Sequence, residues 1–161
     1  MKLFRWLFYL VILLGAAGSC VAYGARFADG PVAIFPGGPF QSGEIVEDPA
    51  ADLSFAADHE TIELQSGEER HSRTVWIVVV DGEAYVPCSL TFPPGKTWHK
   101  EALVHPNAEV RIDGKRYHRR LERVEDDFLI SRLGEEVRDK YPSVPNSDTS
   151  QVWFFHLAPG S

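Results

Sequence analysis

Residues 74–124, TVWIVVVDGEAYVPCSLTFPPGKTWHKEALVHPNAEVRIDGKRYHRRLERV, decide the fold. The stretch divides into hairpin, helix, hairpin. One pair of apolar runs meets at Asp81-Gly82, and a second pair meets at Asp113-Gly114. Asp-Gly between apolar runs is a strong hairpin signal, because a type I′ turn needs positive φ at both central residues. Between the pairs, KTWHKEALVHPN is a short helical stretch that Pro106 stops. This order predicts a small closed β-barrel with a helix plugging one side.

The flanks extend that frame. TIELQ at 61–65 alternates, which predicts a strand with Ile62 and Leu64 inward. SGEERHSR at 66–73 reads as a polar connection. TVWIVVV is apolar on both faces and should be a central strand. Pro87 places a bulge or an edge in the partner strand. TFPPGK at 91–96 is a loop. A second helix starts near Asp126, with Leu129, Leu133 and Val137 recurring every four residues. Asp126 and Asp127 in its first turn and Arg138 and Lys140 in its last suit the helix dipole. YPSVPNSDTSQ is a loop, and VWFFHLAP is the closing strand. Residues 27–58 are irregular and rich in Gly and Pro. They should lie extended against the barrel, because Val32, Ile34, Phe35, Phe40 and Phe55 need somewhere to pack. Three parts follow: 1–26, 27–58, and a barrel domain at 59–161.

The run WLFYLVILLGAAGSCVAYGA, Trp6 to Ala25, carries no charge and is long enough to span a bilayer. Lys2 and Arg5 precede it, so its start should stay cytoplasmic and the domain should be translocated. Three readings stand: an uncleaved transmembrane anchor, a cleaved signal segment, or a lipoprotein signal. In the last, Ala17-Gly18-Ser19-Cys20 would make Cys20 the lipidated residue. Each places the domain outside the cytoplasm, on the periplasmic side. The formal net charge is −7, and Lys2, Arg5 and Arg26 are the only charges in residues 1–26, so the remainder carries −10. A domain this acidic is a poor nucleic-acid binder, and lipid contact falls to the N-terminus.

The helical stretch Trp98–Asn107 running directly into the strand AEVRI resembles the split-barrel flavin-binding proteins. These are the pyridoxamine-phosphate-oxidase-like and deazaflavin-dependent nitroreductase group. The resemblance covers roughly residues 60–157. It implies a mainly β fold: a six-stranded split β-barrel, here with two helices, often dimeric. It also implies FMN or a deazaflavin as cofactor and oxidoreductase activity on a small molecule. Family members take phosphate contacts from the strand start after a basic loop and from the segment before the short helix. Here those positions are Arg73 with Thr74, then Lys96, Thr97 and Lys100, with Trp98 placed to stack on a ring. The residues themselves allow a plainer account. Arg70 and Arg73 would be solvated charges paired with Glu68 and Glu69. Trp98, sharing a helix face with Ala102 and His105, would pack on the barrel. A non-catalytic ligand- or protein-binding barrel is the alternative function.

Other chemistry is sparse. Arg111, Lys115, Arg116, Arg119, Arg120 and Arg123 form a basic run in an acidic domain. Alternation puts Arg119 and Arg123 on the Leu121 face, so an inward arginine there needs a carboxylate or a phosphate. The six histidines form no HxxxH or HExxH pair, and no metal site is expected. Cys88 alternates with Val86 and Leu90 and reads as a buried small hydrophobe. No catalytic residue is assigned.

Overall fold

The computed structural model describes residues 2–142 and 151–160. Both Asp-Gly pairs adopt the backbone that a type I′ turn requires. Asp81 and Gly82 have φ of 54° and 85°, and Asp113 and Gly114 have 50° and 75°. The first turn joins strand β4 (Val78–Val80) to β5 (Glu83–Ser89), and the second joins β6 (Asn107–Ile112) to β7 (Lys115–Arg123). Helix α2 (Trp98–Val104) lies between the two hairpins in sequence.

The remaining strands are β1 (Glu44–Val46), β2 (Thr61–Ser66), β3 (His71–Trp76) and β8 (Val152–Pro159). The main path of the sheet runs β3-β2-β6-β7-β8-β5-β4 and is antiparallel throughout. Its two ends, β3 and β4, are separated in sequence only by Ile77. One kinked segment therefore pairs with β2 in its first half and with β5 in its second, and the sheet curls back on itself. The Tyr141 hydroxyl holds the kink. It accepts from the Ile77 amide at 3.2 Å and donates to the Glu60 carbonyl at 2.6 Å. The Tyr141 ring stacks on Trp76, with centroids 4.5 Å apart. Strand β1 pairs in parallel with Lys115–Tyr117, beside the stretch of β7 that β8 does not reach.

Inside the curl, Leu64, Ile77, Val86, Val110, Leu121, Phe155 and Leu157 form the core, and α2 adds Trp98 and Ala102. On the outer face, helix α3 (Asp127–Lys140) covers β4, β5 and β8 through Leu133 and Val137, which pack on Val78, Tyr85 and Phe154. The Asp126 side chain caps α3 by accepting from the Leu129 amide at 2.7 Å. Helix α1 (Lys2–Ala25) is apolar, and its large side chains from Phe4 to Tyr23 are exposed.

Several expectations are corrected. The fold is mixed α/β rather than mainly β: a curled half-barrel with, among the described residues, eight strands rather than six, antiparallel except for β1. The added strands come from the kink at Ile77 and from the short β1. The apolar segment expected at the N-terminus is helical, as α1, and a 3₁₀ turn at Ser54–Asp58 was not expected. The connection expected at 66–73 is only Gly67–Arg70, because β2 extends to Ser66 and β3 begins at His71. Of the five apolar residues upstream, Phe40 is buried and Phe35 half-buried, while Val32, Ile34 and Phe55 remain exposed. The loop expected at 141–151 falls largely outside the described residues.

Candidate functional site

Strand alternation decides where Arg73 goes. It pairs with Leu64 across β2, on the inward face, while Thr74 beside it faces outward. The Arg73 guanidinium lies over the Trp98 ring, 5.3 Å from its centroid. Its hydrogen bonds are long, 3.4 Å to Ser66 Oγ and 3.4 Å to the His71 carbonyl. A well-formed bond from nitrogen to oxygen is nearer 2.9 Å. Burial lowers its pKa to about 10, only partly opposed by the Glu101 carboxylate. Arg73 stays charged at neutral pH, and among the described residues no carboxylate forms an ion pair with it. The expected pairing with Glu68 and Glu69 does not form. Glu69 takes His71 at 2.7 Å, and Arg70 reaches the buried Glu109 at 3.4 Å.

Around Arg73 the structure gathers Trp98, Cys88, Lys96 and His99. Trp98 is buried and tilts against Phe155, with centroids 5.4 Å apart. Lys96 folds back so that its ammonium donates to the Ser89 and Phe92 carbonyls, and burial lowers its pKa. Burial pushes the Cys88 thiol up to about 11, against the pull of Lys96 and Arg73, so it is neutral at pH 7. His99 is buried, its Nδ1 has no partner, and its ring meets Trp153 edge-on at 5.3 Å. Burial, with Lys96 and Lys100 nearby, lowers the His99 pKa. Arg123 covers Trp153 at 4.0 Å. The cluster is thus cationic and aromatic.

The sequence-derived candidates divide into two groups. Arg73, Lys96 and Trp98 come together. Thr74 instead lines a cleft of about 330 Å³ on the other face, with His59, Glu63, Arg111 and Asp113. The charges there are already matched. Arg111 bonds Glu63 at 2.5 Å and Asp29 at 2.8 Å, and His59 meets Asp113 at 3.1 Å. Thr97 is exposed and donates to Glu101 at 2.5 Å. Lys100 is exposed on α2. His105, expected on the Trp98 face, is exposed, and His99 occupies the buried position instead. Ser66, His99 and Trp153 were not foreseen as site residues. Ser66 reads as loop in the sequence, and nothing in the local pattern of His99 or Trp153 distinguishes them from core.

The inward arginine foreseen beside Leu121 is Arg119, but its partners are neither carboxylate nor phosphate. It donates to the Pro49 carbonyl at 2.6 Å, to the His118 carbonyl at 2.9 Å and to the Ala51 carbonyl. It is a structural cation tying residues 49–51 to the barrel.

No family model matches the sequence, and no curated protein does. Solved structures match the fold. A Listeria innocua protein described as a candidate pyridoxamine 5′-phosphate oxidase is 17% identical, with a TM-score of 0.50, over 68% of this chain and 90% of its own. A NimC/NimA family protein from Clostridium acetobutylicum is 14% identical, with a TM-score of 0.50, over 65% and 76%. A conserved hypothetical protein from Mycobacterium tuberculosis is 16% identical, with a TM-score of 0.50, over 72% and 85%. At these identities the likeness is one of fold.

Proposed function

We propose that this chain is a membrane-tethered split-barrel protein whose domain lies outside the cytoplasm and binds a phosphate-bearing small molecule at Arg73. The ligand class is FMN or a deazaflavin, and the activity is oxidoreduction of a small molecule. The observation that carries this reading is the charged, half-buried Arg73 guanidinium, held by two 3.4 Å hydrogen bonds and, among the described residues, by no ion pair. Glu101 offsets its desolvation only in part, and an arriving phosphate supplies both charge and short hydrogen bonds.

The residues present fit one end of such a cofactor. Arg73 and the Ser66 hydroxyl would hold the phosphate, and Lys96 adds positive charge from the loop before α2. Trp98 does not fit as the ring platform, because it is buried between Arg73 and Phe155. A bound flavin would supply hydride transfer, while the chain supplies binding and orientation. A second reading, a non-catalytic ligand- or protein-binding barrel, is favoured by Trp98, whose burial against Phe155 leaves no face for a flavin ring.

Titration of FMN into the purified full chain, followed by flavin fluorescence, tests the reading. Saturable binding that weakens ten- to a hundredfold in Arg73→Gln is expected, roughly 1.5–3 kcal/mol for one charge-assisted contact. Equal binding by both proteins would remove Arg73 from the site. For the tether, protease added to intact spheroplasts should digest the domain. A protected domain would place it in the cytoplasm.

A further inference from the structure

The sequence requires Val32, Ile34 and Phe27 to find apolar surroundings, and the folded domain does not provide them. Ile34 is 90% exposed and Phe27 is 70% exposed, with Val32 also exposed. Residues 32–35 form a tight turn closed by reciprocal bonds, Val32 amide to Phe35 carbonyl at 3.1 Å and Phe35 amide to Val32 carbonyl at 2.9 Å. Turn tips normally carry Gly, Asn, Asp or Ser. This one reads Val-Ala-Ile-Phe, and Ala33 sits at φ 52°, where a glycine or asparagine would be easier.

The chain that follows the turn passes beside the end of α1. The Gly38 amide donates to the Ala28 carbonyl at 3.2 Å, and a Cβ at Gly38 would sit 2.6 Å from the Arg26 carbonyl. The segment therefore returns to its starting point, and Ile34, four residues from Gly38, is at most about 14 Å from it. Ala25, the last residue of α1, is buried in the domain, so the helix joins the barrel without a free linker. The Phe27 ring meets the Tyr23 ring edge-on at 5.6 Å and continues the apolar surface of α1. Charge points the same way. In residues 26–40 only Arg26 and Asp29 are ionisable. The Asp29 charge is paired with Arg111, and its carboxylate also accepts from Ser42 and from the Gln41 amide.

We propose that residues 27–35 form a membrane foot. Phe27, Val32 and Ile34 enter the headgroup region of the bilayer beside the end of α1 and fix the orientation of the barrel over the membrane. The inference rests on the reading of α1 as a membrane segment. The bilayer is the occupant because Phe27 continues the exposed apolar surface of α1, Ile34 lies within about 14 Å of the residue that packs on the end of that helix, and the segment lacks the free acidic charge that headgroups repel elsewhere on the domain.

The test uses the full chain with Cys20→Ser and Cys88→Ala, reconstituted in phosphatidylcholine vesicles, with single introduced cysteines carrying an NBD fluorophore. The positions are Ile34→Cys, Ile12→Cys in the middle of α1 and Glu135→Cys on α3. Quenchers are nitroxide-labelled lipids at shallow and deep acyl positions. Emission at position 34 should be lost with the shallow quencher and largely kept with the deep one. Position 12 should respond to the deep quencher and position 135 to neither. Quenching at 12 without quenching at 34 overturns the foot while leaving the membrane helix standing. A shielded, blue-shifted but unquenched label at 34 overturns it in favour of a protein contact. Absence of quenching at both 12 and 34 removes the membrane reading and the foot together.

Discussion

Two arginines point toward the interior from strands of the same sheet, and the fold treats them differently. Arg119 is 3% exposed and is gripped by carbonyls of Pro49, His118 and Ala51, with two of the bonds at 2.6 and 2.9 Å. Arg73 is half-buried, and its two bonds are both 3.4 Å long. Burial lowers the pKa of each. A cation that the architecture uses has its donors saturated by backbone fixed in place. A cation left with long bonds, over an aromatic ring and in no ion pair among the described residues, has donors to give to something else. Arg119 thus holds residues 49–51 on the barrel, while Arg73 is the arginine that the proposed function assigns to a ligand.

The largest expected effect follows from Arg119. Arg119→Ala removes the donor to three carbonyls and empties the buried space that the side chain fills under the 49–51 segment. It should cost about 3 kcal/mol of unfolding free energy, read from the urea midpoint of the detergent-solubilised chain. A midpoint equal to wild type would erase the contrast. Next come the turns on which both hairpins depend. Gly82 and Gly114 have open space where a Cβ would sit, so only their positive φ resists substitution. Gly114→Val should cost about 1–3 kcal/mol, and Gly114→Asn much less. Equal losses in the two variants would mean that φ is not the cause.

A smaller effect concerns pH. Native His99 resists protonation, because burial and the nearby Lys96 and Lys100 lower its pKa. An unfolded histidine titrates near 6.5. Above about that pH both states are neutral there and the stability is fully present. As pH falls below it, only the unfolded chain takes up the proton, and stability declines toward the native pKa. Urea midpoints between pH 7.5 and 5.5 should fall in wild type and fall less in His99→Leu. Parallel slopes would assign the decline to other groups.

The curled sheet was legible because its signals are local. Two Asp-Gly turns, the alternation of 61–65 and the four-residue repeat of 129–137 depend on residues close in sequence. The kink at Ile77 was not legible, since the Tyr141 hydroxyl that stabilises it comes from 64 residues away. Of the candidate site, Arg73, Lys96 and Trp98 were named from the sequence, and the structure brings them together. Thr74 was paired with Arg73 as a neighbour, yet neighbours on a strand face opposite sides. Ser66 was hidden by the polar run that follows it. Arg119 was foreseen as inward, but backbone carbonyls from residues 49–51 leave no trace in a side-chain pattern. Val32 and Ile34 were expected to pack because they are apolar, and hydropathy does not say whether the apolar partner is protein or lipid.

The measurement that bears most directly on the contrast is the stability of wild type and Arg73→Met, each with and without FMN, by urea denaturation. If Arg73 serves a ligand, the variant without FMN should be as stable as wild type or more so, because an unpaired desolvated cation has been removed. FMN at a hundred times its dissociation constant should then stabilise wild type by about 2.7 kcal/mol and the variant far less. Loss of stability in Arg73→Met without ligand, together with no FMN effect on wild type, would make Arg73 a second structural arginine and contradict the account.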